Sequence, residues 1–293
     1  MLFGALEAGG TKMVMAIGNE NGEIINQITI PTETPDITMP NILQYFKDKN
    51  ISALGVGSFG PIDLDKNSPT YGHITSTPKL AWANYNIVGT LNQVLNIPIG
   101  FDTDVNASAL GEATWGCMKG LSSGIYITIG TGIGVGVYMN GELLHGMLHP
   151  EAGHILLSKH PMDSFKGVCP YHPNCFEGLA SGPAIEMRWN QKAFELVDKL
   201  EVWDLEAYYI AQGIVNYILT ISPHKIVLGG GVMHQEQLFP LIHKYVSTLL
   251  NGYIKAPQLT NLETYIVPPS LKDNQGIMGC IQLAKNATSL CVN

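Results

Sequence analysis

LFGALEAGGTKMVMAIGNENGEIINQITI, residues 2–30, sets out a plan that the chain uses twice. An apolar strand runs into a glycine turn at Gly9 and Gly10, a second apolar strand follows, and Asn21-Gly22 marks a hairpin turn before a third. Residues 123–144, SGIYITIGTGIGVGVYMNGELL, repeat the plan: strand, turn at Gly130 to Gly132, strand, and a hairpin turn at Asn140-Gly141 followed by Glu142. Gly10-Thr11 in the first copy is matched by Gly130-Thr131 in the second.

After each copy, helical and strand patterns alternate, as a layered α/β fold requires. In the first half, helices are expected over 39–49, 87–95 and 105–115, with strands over 51–57 and 99–103. In the second, helices are expected over 205–220 and 238–250, and strands over 225–228 and 262–267. A boundary near Met118 to Gly120 gives domains 1–118 and 119–293, with a last helix over 274–287 that returns to pack on the first half.

Composition sets the limits. A chain of 293 residues, 45% of them hydrophobic, buries a large core and has room for two domains. Sixteen basic against twenty-four acidic residues give a formal charge of -8, which disfavours nucleic-acid binding, and no basic tract offsets it. The opening MLFGALEAGG lacks the charged and apolar regions of a secretory signal, and no run is long enough to span a bilayer, so a cytoplasmic protein is expected. Five cysteines, with Cys117, Cys280 and Cys291 scattered, do not read as a disulfide framework.

The densest chemistry lies between His154 and Cys175. Cys169, His172 and Cys175 stand at three-residue intervals in CPYHPNC, and His154 closes the preceding HPEAGH. Two thiolates and two imidazoles make a tetrahedral zinc set with no position left for a reactive water, so the ion shapes a loop. A Cys169 to Cys175 disulfide, or two idle thiols with surface histidines, is the alternative.

The glycine turns point to phosphate. Backbone amides around Gly10 and Gly132, with the hydroxyls of Thr11 and Thr131 and the Lys12 ammonium, can cradle a polyphosphate. A strand, not a helix, is expected after each turn, which excludes a Walker loop and a dinucleotide fingerprint. Gly229, Gly230 and Gly231 end the apolar KIVL strand, where open α/β sheets receive ligands. Ser181 as cap and Pro183 in the first turn open a helix whose amides can face the same nucleotide. Each turn taken singly also reads as an ordinary hairpin or cap.

In GFDTDVNASALGEA, residues 100–113, Asp102, Asp104 and Asn106 stand where a strand meets a helix. Asp104 is the expected general base. Helix capping by Asp104 or Asn106 is the competing reading. Glu151, His154 and Glu177 flank the metal loop and suit the hydroxyls of a sugar.

EAGGTK, IGTGIGVG, DTDVNASALGEATWG, HPEAGH, CPYHPNCFEG and LGGGV together resemble the ROK family of sugar kinases and repressors, most closely its fructokinase branch. The resemblance implies an actin-like, hexokinase-type fold of two ribonuclease H-like duplicated domains and a homodimer. It also implies ATP with Mg2+ as cosubstrate, one structural Zn2+ per chain, and γ-phosphoryl transfer to the 6-hydroxyl of D-fructose. Carried over, it makes Asp104 the base and places Thr103, Asn106, Glu151, His154 and Glu177 at the sugar. Zinc falls to His154, Cys169, His172 and Cys175, phosphates to Thr11 and Thr131, and the nucleotide to Pro183 and Gly229 to Gly231. Asp63 in GSFGPIDLD resembles the fructokinase pattern. Two departures stand out: Glu7 where many relatives have Asp, and Thr103 where many have Asn. The chain opens directly on its first strand, so the repressor branch is not expected. Glucose, mannose or an N-acetylhexosamine as acceptor, and a noncatalytic sugar-responsive binding protein, are the alternatives.

Overall fold

A computed structural model describes residues 1–290; Cys291 lies outside the described residues. The chain begins with strands β1 (Leu2–Ala8), β2 (Lys12–Asn19) and β3 (Ile24–Pro31), then helix α1 (Pro35–Phe46) and strand β4 (Leu54–Ser58). Short strands β5 (His73–Ile74) and β6 (Tyr85–Asn86) precede α2 (Ile87–Leu95), β7 (Ile99–Thr103) and α3 (Asp104–Thr114). There follow β8 (Ser123–Ile129), β9 (Ile133–Met139), β10 (Glu142–Leu143), α4 (Phe176–Ala180), α5 (Gly182–Trp189) and α6 (Leu200–Thr220). The last elements are β11 (Ile226–Gly229), α7 (Leu238–Leu250), α8 (Leu262–Tyr265), β12 (Ile266–Val267) and α9 (Gln275–Leu290). No helix among the described residues is long and apolar enough to cross a membrane.

Two compact units result. The first holds Met1–Gly120, Gly136–Pro150 and the chain from Ser270 onward; the second holds Leu121–Val135 and Glu151–Pro269. Glu112 anchors the ends of the first unit's segments. Fully buried, its carboxylate accepts from the Ser270 amide (2.8 Å) and hydroxyl (2.7 Å) and from the Cys117 amide (2.9 Å).

In the first unit the sheet order is β3-β2-β1-β4-β7. The β1, β2 and β3 hairpins are antiparallel, while β1, β4 and β7 run parallel. Both faces are covered, which is why β1 is apolar except for Glu7 and does not alternate with polar residues. Leu6 and Ala8 join Met39, Ile42, Phe46 and Leu91 from α1 and α2 on one face. Phe3 and Ala5 join Ala107, Leu110, Ile277 and Ile281 from α3 and α9 on the other. The register pairs Ala8 with Ser58 and Ser58 with Thr103, so the Gly9-Gly10 turn, the Gly60-Pro61 segment and Asp104 leave the sheet at one edge.

The second sheet repeats this order as β10-β9-β8-β11-β12. In the second unit β8 and β11 are parallel, with Thr128 beside Gly229, so the Gly130 turn and the Gly229 to Gly231 turn leave at one end. The buried face of α6, including Trp203, Ile210, Ile214 and Ile218, and that of α7, with Leu238, Ile242 and Val246, supply much of that unit's core.

Three sequence expectations need correction. The strand expected over 262–267 is mostly a helical turn, because the Asn261 side chain accepts from the Glu263 amide and starts α8; only Ile266 and Val267 pair as strand. The first helix starts at Pro35, not Met39, with Pro35 preset for a first-turn position and Pro40 carried inside. Ser181 stands at the N-cap position of α5, but its hydroxyl makes no capping bond.

The tightest packing in the first unit is backbone against backbone. A Cβ on Gly279 of α9 would overlap the Ala107 carbonyl of α3, and one on Gly111 of α3 would overlap the Gln275 carbonyl of α9. Helix propensity alone predicts that Gly279→Ala stabilises by about 1 kcal/mol. We expect the opposite: a loss of about 3 kcal/mol or more, because the helices must separate along their length. Thermal unfolding checks the sign, at roughly 2–4 °C per kcal/mol, and an unchanged or raised Tm contradicts this account of the contact.

Candidate active site and metal centre

Asp104 is the first residue of α3, and Thr103 before it is the cap, its hydroxyl accepting from the Asn106 amide at 3.1 Å. The Asp104 carboxylate is therefore not needed for capping, and its Oδ1 takes only the adjacent Val105 amide (2.8 Å). Burial raises Asp104 to about 6, with backbone N–H groups pulling it back. Glu7, on β1, is raised to about 7 by burial and then by the charge of Asp104, against the opposing pull of Lys12. Thr11 and Lys12 are exposed at the turn between β1 and β2, which the Thr32 hydroxyl pins by donating to Gly9 O (2.7 Å).

Asp102, two residues before Asp104, is 3% exposed and fully engaged. Its Oδ1 accepts from the Thr103 amide (2.8 Å) and from Asn106 Nδ2 (2.7 Å), and its Oδ2 lies 2.8 Å from His145 Nε2. That bond raises His145, with burial opposing it. Burial and the Asp102 charge raise Tyr71. His149 Nε2 accepts from the Ile62 amide at 3.0 Å, and burial lowers that imidazole. Asp63 is used within its own loop: Ser68 (2.5 Å) and Thr70 (2.6 Å) donate to it, and those bonds hold it below the usual carboxylate range.

In the second unit three glycine segments meet. The Gly182 amide donates to Gly130 O at 2.8 Å, and a Cβ on Gly130 would sit 3.7 Å from Gly231 N. Gly230 has φ +89°, and a side chain there would overlap Ile129; one on Gly231 would meet nothing within 4 Å. Of the three glycines after β11, Gly231 is the one whose missing side chain faces open space, while Gly229 lies against Tyr126 and Pro269. Thr131 is exposed on the turn, and Pro183 sits in the first turn of α5. Ser181 Oγ is buried there and has no hydrogen-bond partner among the described residues.

His154, Cys169, His172 and Cys175 converge, their ligand atoms all within 4.8 Å of one another. Cys169 Sγ lies 3.8 Å from His154 Nδ1 and 3.7 Å from His172 Nδ1, and Cys175 Sγ lies 3.6 Å from His154 Nδ1. Ordinary zinc bond lengths and tetrahedral angles require a sulfur–nitrogen edge of about 3.6 Å, so the donor set fits the ion. Both cysteines are unbridged thiols, which removes the disulfide alternative. Burial pushes the Cys175 thiol up to about 12, so an entering metal displaces its proton.

Glu177 joins this cluster to the glycine turn. Its Oε1 lies 3.9 Å from His154 Nε2, and its Oε2 accepts from the Ile133 amide at 2.9 Å. Gly132 makes that reach possible, since a Cβ there would lie 2.6 Å from the carboxylate. Glu151 is exposed at the start of the short turn that carries His154, and its carbonyl accepts from the His154 amide (3.0 Å). Behind the loop, Arg188 pairs with Asp163 (3.2 Å) and lies over the rings of Phe165 and Tyr209.

Sequence reasoning missed His145, His149 and Tyr71. One signal was available: alternation sends Asp102 to a covered sheet face, and a buried carboxylate requires partners. Nothing in the spacing says that His145 is one of them.

The ROK family profile matches residues 3–287. A protein of Bacillus subtilis (strain 168), whose fructokinase name is provisional, is 53% identical over 287 residues, covering 98% of this chain and 96% of its own. The fructokinase of Pediococcus pentosaceus is 45% identical over 287 residues, 98% of this chain and 99% of its own. Among solved structures, the ROK hexokinase of Thermus thermophilus has a TM-score of 0.80 at 23% identity and covers 99% of both chains. The ROK glucokinase of Streptomyces griseus, in complex with glucose and AMPPNP, has a TM-score of 0.80 at 22% identity, over 98% of this chain and 100% of its own. The structures establish the α/β actin and hexokinase type of fold, and the sequence matches, which run nearly end to end, make this chain a member of the ROK family, on its fructokinase branch.

Proposed function

We propose that this chain is an ATP-dependent hexose kinase that transfers the γ-phosphoryl group to the 6-hydroxyl of D-fructose. The observation that carries the reading is Asp104: a carboxyl at the end of β7, raised to about 6, not used as a helix cap, and set beside Glu7 and the first glycine turn. It is supported by the fructokinase names of relatives such as those of Pediococcus pentosaceus and Streptococcus mutans, the latter 44% identical over 290 residues.

In this reading Asp104 accepts the proton of the sugar hydroxyl as its oxygen forms the bond to γ-phosphorus. The bond to the bridging oxygen breaks in line, and ADP leaves with that electron pair. Lys12, Thr11 and the amides about Gly10 take one part of the polyphosphate. Thr131, Gly132, Pro183 and the Gly229 to Gly231 turn take the nucleotide's remainder. Magnesium accompanying ATP would offset charge on the phosphates, and Glu7 would help to hold it or its waters. Glu151, His154 and Glu177 hold sugar hydroxyls, with Thr103, Asn106 and Asp63 fixing the strand end and loop on the acceptor side. His154, Cys169, His172 and Cys175 would hold one zinc per chain, which would keep the sugar loop in shape. The two sheets, alike in strand order, are read as ribonuclease H-like duplicates. A homodimer and a cytoplasmic location, where ATP is available, complete the reading.

Asp104→Asn should fold and lose at least about 100-fold in kcat, the scale of a general base. Near-full turnover in that variant sinks the assignment. Because Asp104 must be ionised to accept a proton, kcat/KM should fall as pH drops through about 6 to 7, the range to which Asp104 and Glu7 are raised. Stability should move the other way. Carboxyls raised above their ordinary values keep protons that the unfolded chain has released, so their favourable contribution is lost as pH rises through the same range. Thermal scans of wild type and Asp104→Asn at pH 5 and pH 8 read this directly, the variant losing less at alkaline pH.

Metal analysis of protein purified without added zinc should find about one zinc per chain, and Cys169→Ser with Cys175→Ser should abolish it. A metal-free wild type at full activity would contradict the zinc assignment. A panel of hexoses with MgATP, followed by ADP release, should rank fructose first by kcat/KM. Glucose above fructose overturns the specificity, and sugar binding without any turnover favours a noncatalytic sensor.

A further inference from the structure

The phosphate turns, the metal loop and Asp104 leave one built polar cluster of the first unit without a role. It is centred on Asp102 and His145. Asp102 already receives two N–H donors on Oδ1, so its buried charge did not need a third partner for satisfaction alone. The third partner is not an arginine or lysine but an imidazole, whose side chain is 40% exposed while the carboxylate it faces is buried. The carboxylate fixes which ring nitrogen turns inward. Nε2 faces Asp102, and Nδ1 has no partner among the described residues. Asn106 must present its amide nitrogen to the same carboxylate, which leaves its Oδ1 buried and unpaired, so the surrounding geometry is held even at that cost.

The place of the pair gives it meaning. Asp102 lies two residues before Asp104 on the same strand end. Thr103 between them uses its hydroxyl to cap α3 and offers no side-chain amide. The loop shaped by Asp63 brings Tyr71 within the field of Asp102, and His149 is locked by the Ile62 amide four residues after His145. These segments thus meet around Asp102, two residues before the one that would take the acceptor's proton, and His145 is the half-exposed member whose Nδ1 faces no partner among the described residues.

We propose that His145, held in one orientation by Asp102, is a sugar-binding residue that reads a hydroxyl of the acceptor hexose, with Asp102 as its positioning residue. The inference rests on the hexose-kinase reading. A hydroxyl both donates and accepts, so Nδ1 can engage it either as the acceptor of a neutral ring whose Nε2 carries the proton or as a donor of the imidazolium. The bond to Asp102 favours a proton on Nε2 in both cases.

The test uses the full-length chain as wild type, His145→Ala, His145→Gln and Asp102→Asn. His145→Ala should raise KM for fructose by about 10- to 100-fold, the range for losing one or two hydrogen bonds, and leave KM for MgATP unchanged within about 2-fold. His145→Gln restores an N–H toward Asp102 but not the second ring nitrogen, so it should keep the wild-type Tm while KM for fructose stays raised. Asp102→Asn should raise KM for fructose less and shift the pH dependence of KM, because the amide no longer fixes the proton on Nε2; should that variant not fold, the two His145 variants decide. An unchanged KM for fructose in His145→Ala overturns the inference. So does a loss of kcat that is equal for all hexoses and accompanied by a lower Tm, since that is what a purely structural pair would give. Fructose titration without nucleotide separates the two readings: a wild type that binds fructose but never turns over, beside a His145→Ala variant that does not bind, sinks the kinase and supports the role of His145.

Discussion

Two helix backbones touching without side chains between them is the constraint on which the first unit depends. Where Gly279 of α9 meets Ala107 of α3, and Gly111 meets Gln275, no spacer can be inserted, so the separation of the helices is fixed by van der Waals contact and not by the adjustable packing of larger residues. Because α3 begins at the residue after β7, holding the body of α3 also holds its first turn. The position of Asp104 follows from this contact as much as from the strand that leads into it. The same helix α9 lies against β1, where Gly276 leaves room for the Glu7 carboxylate.

That rigidity permits an arrangement that would otherwise relax. Two carboxyls and one lysine occupy the edge where β1, β4 and β7 end, and burial acts on both acids before any charge does. A looser edge would admit water and return both groups to ordinary values, removing the basicity that proton abstraction needs. The raised pKa values are a cost in folding at neutral pH and a gain in chemistry, as is usual where function concentrates.

What the sequence revealed followed the range of the interactions. The strand, glycine turn and hairpin of residues 2–30 and 123–144 are local, and both stand where the pattern puts them. The metal cluster was legible because its ligands lie within a short window and thiolate chemistry is selective. The partnership of Glu7 with Asp104 was not, because it arises only when β1 and β7 flank β4 in a parallel sheet. Asp102 and His145 were hidden because they lie 43 residues apart and nothing in the local spacing joins them. Residues 262–267 were misread because one asparagine, Asn261, outweighs the β-forming character of the residues after it. The glycines were visible, but not their tasks: Gly111 and Gly279 admit a neighbouring helix, Gly230 a left-handed turn, and Gly231 faces open space.

Glu177 has a consequence of another kind. One of its oxygens faces the imidazole that borders the metal cluster, and the other holds the amide that follows the second glycine turn. A metal that fixed the position of His154 would therefore bear on the turn through this one side chain. Metal occupancy and the shape of the turn would then be linked, and such linkage is reciprocal: a ligand that tightened the turn would strengthen the hold on a metal by the same factor that the metal strengthened the hold on the ligand. An ion that touched no phosphate would thus act on whatever the glycine turn binds.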